Sequence, residues 1–193
     1  MDYGTMFIIF GKVTFYMGVL EEKIKNHIRV IEDFPQPGVS FKDFSGIFQN
    51  SELSNEVIQS LASHAKGKVD LVCGIESRGF LFGFPLALAL DVPFVMMRKK
   101  GKLPPPTVSE TYQLEYGEAT LEIIENQIQL GQRVLIHDDV LATGGTARAA
   151  SNLIEKVGAK PVQYSFLIQL NFLQGLKNLK SDVEVISLLE FQS

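Results

Sequence analysis

The stretch that most constrains this chain is Arg133 to Ala149, RVLIHDDVLATGGTARA. A short apolar run (Val134, Leu135, Ile136) leads into two adjacent carboxylates, Asp138 and Asp139, and then into the turn Thr143-Gly144-Gly145-Thr146, after which an alanine-rich helical pattern begins. Strand, acidic pair, glycine turn and helix in that order make a βα unit with a polar site at the strand's C-terminal end, where open α/β sheets bind ligands. The glycines let the backbone approach a ligand closely, and the new helix presents unpaired N–H groups and the positive end of its dipole. A phosphate suits that end, with the Thr143 and Thr146 hydroxyls as further donors. Ionised carboxylates only accept hydrogen bonds, so Asp138 and Asp139 face vicinal hydroxyls or a hydrated metal. Phosphate on one side and a diol on the other describe a ribose phosphate.

The rest of the chain supplies an α/β frame for this unit. Leu20, Ile24, Ile28 and Ile31 fall at helical spacing and predict a helix over 19–31; Leu53, Val57, Leu61 and Ala65 predict another, stopped near Gly67. The run 69–75 is apolar but for Asp70, as in a central strand buried on both faces. A crossover helix over 79–90 and a strand over 92–97 follow, then a basic, proline-rich loop over 99–109 and short strand-like segments around Gly117. After the strand 133–137 and the helix 145–157, closed by Gly158 and Pro161, come a strand 162–169, a helix 172–179 and a last strand 183–188. Strands alternating with helices predict a parallel sheet with right-handed crossovers.

Length and charge narrow the function. At 193 residues, 46% hydrophobic and 21% charged, the chain has the balance of one soluble globular domain. A net charge of −4 argues against general nucleic-acid binding, and it requires locally concentrated positive charge for any polyanionic substrate. The single cysteine, Cys73, leaves no disulfide framework or cysteine metal site, and its apolar surroundings make it a buried bystander. No apolar stretch approaches the ~20 residues of a membrane span. Residues 1–16 are apolar but lack a basic leader region and a cleavage site. They are expected to be a private extension, or Met17 to be the natural start.

The motif DDVLATGGT, with a strand before it and a helix after it, resembles the phosphoribosyl-diphosphate (PRPP) motif of type I phosphoribosyltransferases, and its LATGGT wording is similar to that of the adenine phosphoribosyltransferases. The resemblance spans about residues 20–190. It implies the type I phosphoribosyltransferase fold, a central parallel sheet flanked by helices with a small hood at about 19–50. It further implies a cytoplasmic homodimer that converts adenine and PRPP to AMP and diphosphate, with Mg²⁺ entering mainly through PRPP and no firm protein ligand for the metal.

Residue by residue, the resemblance implies that Asp138 and Asp139 hold the ribose hydroxyls and that Ala142, Thr143, Gly144, Gly145 and Thr146 cradle the 5′-phosphate. Ser77 and Arg78, in Glu76-Ser77-Arg78-Gly79-Phe80 at the end of strand 69–75, match the diphosphate loop, and a guanidinium fork suits phosphate oxygens. The run Arg98-Lys99-Lys100-Gly101-Lys102 matches a mobile basic lid, with Arg98, Lys99 and Lys102 as diphosphate ligands. Leu114-Glu115-Tyr116-Gly117 matches the LEYG signature: Glu115, positioned by Tyr116, is the candidate to exchange a proton with the base. Ser40, Phe41 and Lys42 lie in the segment that covers the adenine, with Phe41 placed to stack on a purine.

Lys42 stands where an arginine is frequent and Ser40 where an aliphatic residue is, so base selectivity is the detail in which this chain departs from the pattern. His137 also replaces an aliphatic residue, and reads as a hydrogen-bonded strand histidine rather than a catalyst. The competing readings are a phosphoribosyltransferase for xanthine or hypoxanthine, and a non-catalytic sensor of PRPP or purines. A Rossmann dehydrogenase is excluded because no GxGxxG occurs.

Overall fold

The computed structural model describes residues 18–113 and 117–193. The chain divides into two compact units, residues 1–57 and 58–193. The described part of the first holds a helix α1 (18–26) with Leu20 and Ile24 buried one turn apart, and a two-stranded antiparallel sheet of β1 (Arg29–Ile31) and β2 (Phe41–Asp43). A one-turn helix α2 (Ser45–Phe48) follows. Helix α3 (Ser51–Ala65) starts at Asn50, whose Oδ1 accepts the Leu53 N–H at 3.0 Å as an N-cap, and buries Leu53, Val57, Leu61 and Ala65, the stripe that its spacing predicts.

The second unit is built on a seven-stranded sheet. Its strands are β3 (Leu71–Ile75), β4 (Phe94–Lys99), β5 (Thr107–Gln113), β6 (Glu118–Ile124), β7 (Arg133–Leu141), β8 (Lys160–Leu170) and β9 (Glu184–Phe191), in the order β5-β6-β4-β3-β7-β8-β9. Five strands run parallel; β6 pairs antiparallel with β4 and with β5. The all-apolar β3 is buried at every residue, as a central parallel strand must be. Helix α4 (Gly79–Leu90) crosses from β3 to β4, and α5 (Gly145–Lys156) from β7 to β8. Arg133 forks onto Asp70 and fixes the starts of β7 and β3 together.

Taken alone, the parallel strands have the flavodoxin-like order of a doubly wound sheet: the first lies second, and the chain reverses direction across the sheet between β3 and β7. That reversal is where such sheets bind ligands, beyond the C-terminal strand ends.

Several expectations change. The first helix ends at residue 26 rather than 31: His27 Nδ1 bonds the Lys23 carbonyl at 2.8 Å, and Arg29–Ile31 leaves to pair with β2. Ile28 and Ile31 keep the helical period by coincidence; the cluster of β-branched residues favours extended backbone. The basic loop is shorter than 99–109, because the chain is already a strand at Thr107. The segment predicted as a helix over 172–179 is instead two short 3₁₀ turns, Asn171–Leu173 and Gly175–Asn178, interrupted by Gln174 at φ 53°.

Candidate functional site

Two strand ends meet at the reversal. On β7, Asp138 is half-buried and Asp139 buried, and the Asp139 N–H donates to Asp138 Oδ1 at 2.9 Å. On the β3 side, Arg78 opens α4 and places its Nε 2.8 Å from Asp139 Oδ2, an ion pair rather than an aligned hydrogen bond. Burial, then the charge of Asp139, raises the Asp138 carboxyl well above the ordinary carboxylate value; burial raises Asp139 too, against the pull of Arg78. Two carboxylates side by side with one guanidinium form a coupled acid pair, suited to accept from two neighbouring hydroxyls. Ser77 is exposed beside them, and the Glu76–Ser77 peptide is cis.

Past Leu141 the chain turns through residues 142–144 and starts α5 at Gly145. Gly144 sits at φ 82°, in the left-handed region that glycine alone enters freely. The first α5 amide to bond back is Arg148 N–H, to Gly144 O at 2.9 Å, so the amides of residues 145–147 have no intrahelical partner. With the Thr143 and Thr146 hydroxyls they make a donor-rich turn at a helix N-terminus, the kind of place whose chemistry suits an anion. Asn178 Nδ2 donates to the Thr143 carbonyl at 2.7 Å, and a side chain on Gly144 would fall 2.4 Å from Gly175 O. Tyr112 Oη lies 3.1 Å from Thr146 Oγ1. The 3₁₀ segment thus braces the turn from one side and β5 from the other. Sequence reasoning missed Gly175, Asn178 and Tyr112 because nothing local marks a residue that acts by meeting a turn some 30 positions away.

The basic run leaves β4 as a turn with Lys99, Lys100 and Lys102 exposed. Arg98 is half-buried: its Nε donates to Glu76 Oε2 at 2.8 Å and Nη1 to the Lys102 carbonyl at 3.2 Å. All of these cations belong to the unit that holds the acidic pair and the anion turn.

In the first unit, Phe41 packs edge-on against Phe34, with ring centroids 5.2 Å apart. Lys42 points to the other side of β2, is buried, and donates from Nζ to Ser40 Oγ at 2.9 Å; that hydroxyl donates to Glu32 Oε1, also at 2.9 Å. Glu115 and Tyr116 lie outside the described residues. His137 is fully buried in the interior of β7, its Nδ1 3.2 Å from Ser165 Oγ, and burial depresses its pKa to about 4. Cys73 is buried and its thiol pushed up, as for an inert core residue.

A reversal-point site with an acidic pair, an anion turn and a cationic loop defines a protein that binds a phosphorylated sugar, and the family model for the phosphoribosyl transferase domain matches residues 46–188. The chain belongs to the phosphoribosyltransferase family. Within it the chain falls among the adenine phosphoribosyltransferases. That of Desulfitobacterium hafniense is 50% identical over 166 residues, covering 86% of this chain and 95% of the relative. The crystal structure of the Thermoanaerobacter pseudethanolicus enzyme matches with a TM-score of 0.85 at 47% identity, over 88% of this chain and 99% of that one. The Saccharomyces cerevisiae enzyme, solved with an imino-altritol bisphosphate and adenine, matches with a TM-score of 0.85 at 41% identity over 89% and 99%.

Proposed function

We propose that this chain transfers the 5-phosphoribosyl group of PRPP to adenine, giving AMP and diphosphate. The observation that carries the reading is the acidic pair of β7 followed directly in the chain by the glycine turn that opens α5, in a chain 50% identical to an adenine phosphoribosyltransferase. Ala142 to Thr146 hold the 5′-phosphate through the α5 amides and the threonine hydroxyls. Asp138 and Asp139 accept from the ribose hydroxyls.

Arg78 is the counterion of Asp139. When PRPP enters, Arg78 turns to the diphosphate with Ser77, Lys99 and Lys102, and Arg98 supports them. The C1–O bond to diphosphate breaks as the base nitrogen bonds C1, and the proton of that nitrogen passes to Glu115, held by Tyr116. Positive charge gathered at the leaving group and negative charge near the sugar both lower the barrier of an oxocarbenium-like centre. Phe41 stacks on the adenine, and Ser40 and Lys42 meet it through their backbone groups.

Among the described residues, no three His, Cys, Asp or Glu side chains converge as a metal cage. A magnesium ion would take its ligands from PRPP oxygens and water, and it would neutralise diphosphate charge. We further propose a cytoplasmic homodimer. Leu81, Phe84 and Leu88, along one face of α4, stay 49%, 52% and 65% exposed, and an apolar stripe of this kind favours a second copy.

The test is diphosphate release from PRPP and Mg²⁺ with adenine, hypoxanthine, guanine and xanthine offered separately. Release with adenine alone is expected. Release with another base would overturn the base assignment, and no release while PRPP still binds would favour a sensor.

A further inference from the structure

Glu122 is a buried carboxylate that the proposed reaction does not use. It lies on β6, between Arg98 of β4 and Ser109 of β5 in the strand register, and is 7% exposed. Burying a charge is costly unless it is hydrogen-bonded. The Glu122 charge meets the basic turn: Oε2 accepts the Gly101 N–H at 3.0 Å.

The turn itself explains why that amide needs a partner. Lys102 N–H bonds back to Lys99 O at 3.2 Å, closing a four-residue turn with Gly101 third and at φ 78°. This is the type II form, which requires a positive φ at its third residue. Its central N–H, that of Gly101, points out of the turn and finds no partner within it. Glu122 supplies one. On the other side Arg98 Nη1 holds the Lys102 carbonyl at 3.2 Å, and Glu76 holds Arg98. The Lys100 N–H is held as well, by the Thr120 carbonyl at 3.0 Å. The turn that displays Lys99, Lys100 and Lys102 is therefore clamped at two N–H groups and one C=O, and Glu122 and Arg98 are the two side chains that do so.

We propose that Glu122 is a positioning residue for PRPP: it touches no substrate, and it sets the conformation in which the basic turn offers its cations to the diphosphate. This rests on the proposed reaction. The acceptor oxygen matters and the charge does not, since a negative charge beneath four cations weakens their pull on a polyanion. Glutamine keeps an acceptor oxygen at the same reach; alanine removes it and leaves the Gly101 amide unpaired.

The experiment compares Glu122→Ala and Glu122→Gln with the parent by Mg-PRPP binding in calorimetry, by KM for PRPP and for adenine, and by thermal melting. Losing the acceptor and leaving the Gly101 amide unpaired is expected to weaken PRPP binding about tenfold in Glu122→Ala. The adenine KM should stay within about twofold of the parent, taken as the margin for a site left undisturbed. Glu122→Gln should recover PRPP binding to the parent level or tighter. Three outcomes would overturn the proposal: unchanged PRPP binding in folded Glu122→Ala, equal loss for PRPP and adenine, or a glutamine variant as impaired as the alanine one. Should the parent bind PRPP but fail to turn over adenine, the proposed reaction falls. The binding comparison still decides whether Glu122 sets the turn.

Discussion

Gly144→Ala should damage both the fold and the site, by amounts that the geometry sets. A non-glycine residue in the left-handed region costs about 1–2 kcal/mol. The added Cβ would also lie 2.4 Å from Gly175 O, and backbone gives way only as a unit. Ordinary contact requires one segment to retreat by about 1 Å. Together these predict a loss of at least about 2 kcal/mol, or about 4–8 °C in Tm for a chain of this size. The same 1 Å shift moves the amides that face the phosphate, and a misplacement of that size can cost about 100-fold in rate.

The control is the neighbouring glycine. A Cβ on Gly145 meets nothing closer than Gln113 O at 3.9 Å, so Gly145→Ala should melt within about 2 °C of the parent or above it. Any rise it causes in the KM for PRPP then reports the ligand's approach to the backbone. Melting curves and PRPP kinetics on the two variants make the test. A Gly144→Ala protein with parental Tm and PRPP KM would refute the account of the braced turn, as would equal melting losses in both variants.

Two further predictions concern the residues that depart from the family pattern. His137 is neutral when buried, with its pKa depressed to about 4 from 6.5, so the unfolded chain takes up its proton first as pH falls. Stability is therefore full above pH 6.5 and lost as pH falls toward 4, by about 2 kcal/mol at pH 5. Asp138 and Asp139 shift the opposite way but are common to both proteins, so urea unfolding of the parent and of His137→Val at pH 7.5 and 5 isolates the histidine; parallel pH slopes would contradict it. Ser40 and Lys42 should be coupled, because the Ser40 hydroxyl links the Lys42 ammonium to Glu32. Ser40→Ala should raise the KM for adenine, and adding Lys42→Arg, whose longer fork can reach Glu32, should recover it by about 1 kcal/mol of coupling in a double-mutant cycle; additive effects would argue against the link.

The parts of this molecule readable from its sequence are those specified by local periodicity. The run 69–75 reads as a doubly covered strand, and its apolar part 71–75 is β3, with Asp70 just before it paired to Arg133; the bounds of α4 match the predicted 79–90, since Asp91 stops it in the left-handed conformation at φ 56°. The acidic pair and glycine turn are contiguous, so one stretch announced the site. The failures share a cause. Ile28 and Ile31 satisfied a helical period, but cross-strand pairing with Phe41–Asp43 decided their conformation. Likewise, the role of Glu122 depends on a turn 21 residues away, and that of Asn178 on one 35 away. A pattern read within one segment cannot contain such contacts. Arg98 was legible as a cation near the site, yet its anchoring by Glu76 emerges only when β3 and β4 lie side by side.

Whether one ribose phosphate spans the end of β7 is tested most directly by a crystal structure of the protein with bound AMP. The phosphate is expected on the amides of residues 145–147 and the Thr143 and Thr146 hydroxyls, the ribose hydroxyls on Asp138 and Asp139, and Arg78 withdrawn from Asp139. AMP bound elsewhere, or with its phosphate away from this turn, would contradict it.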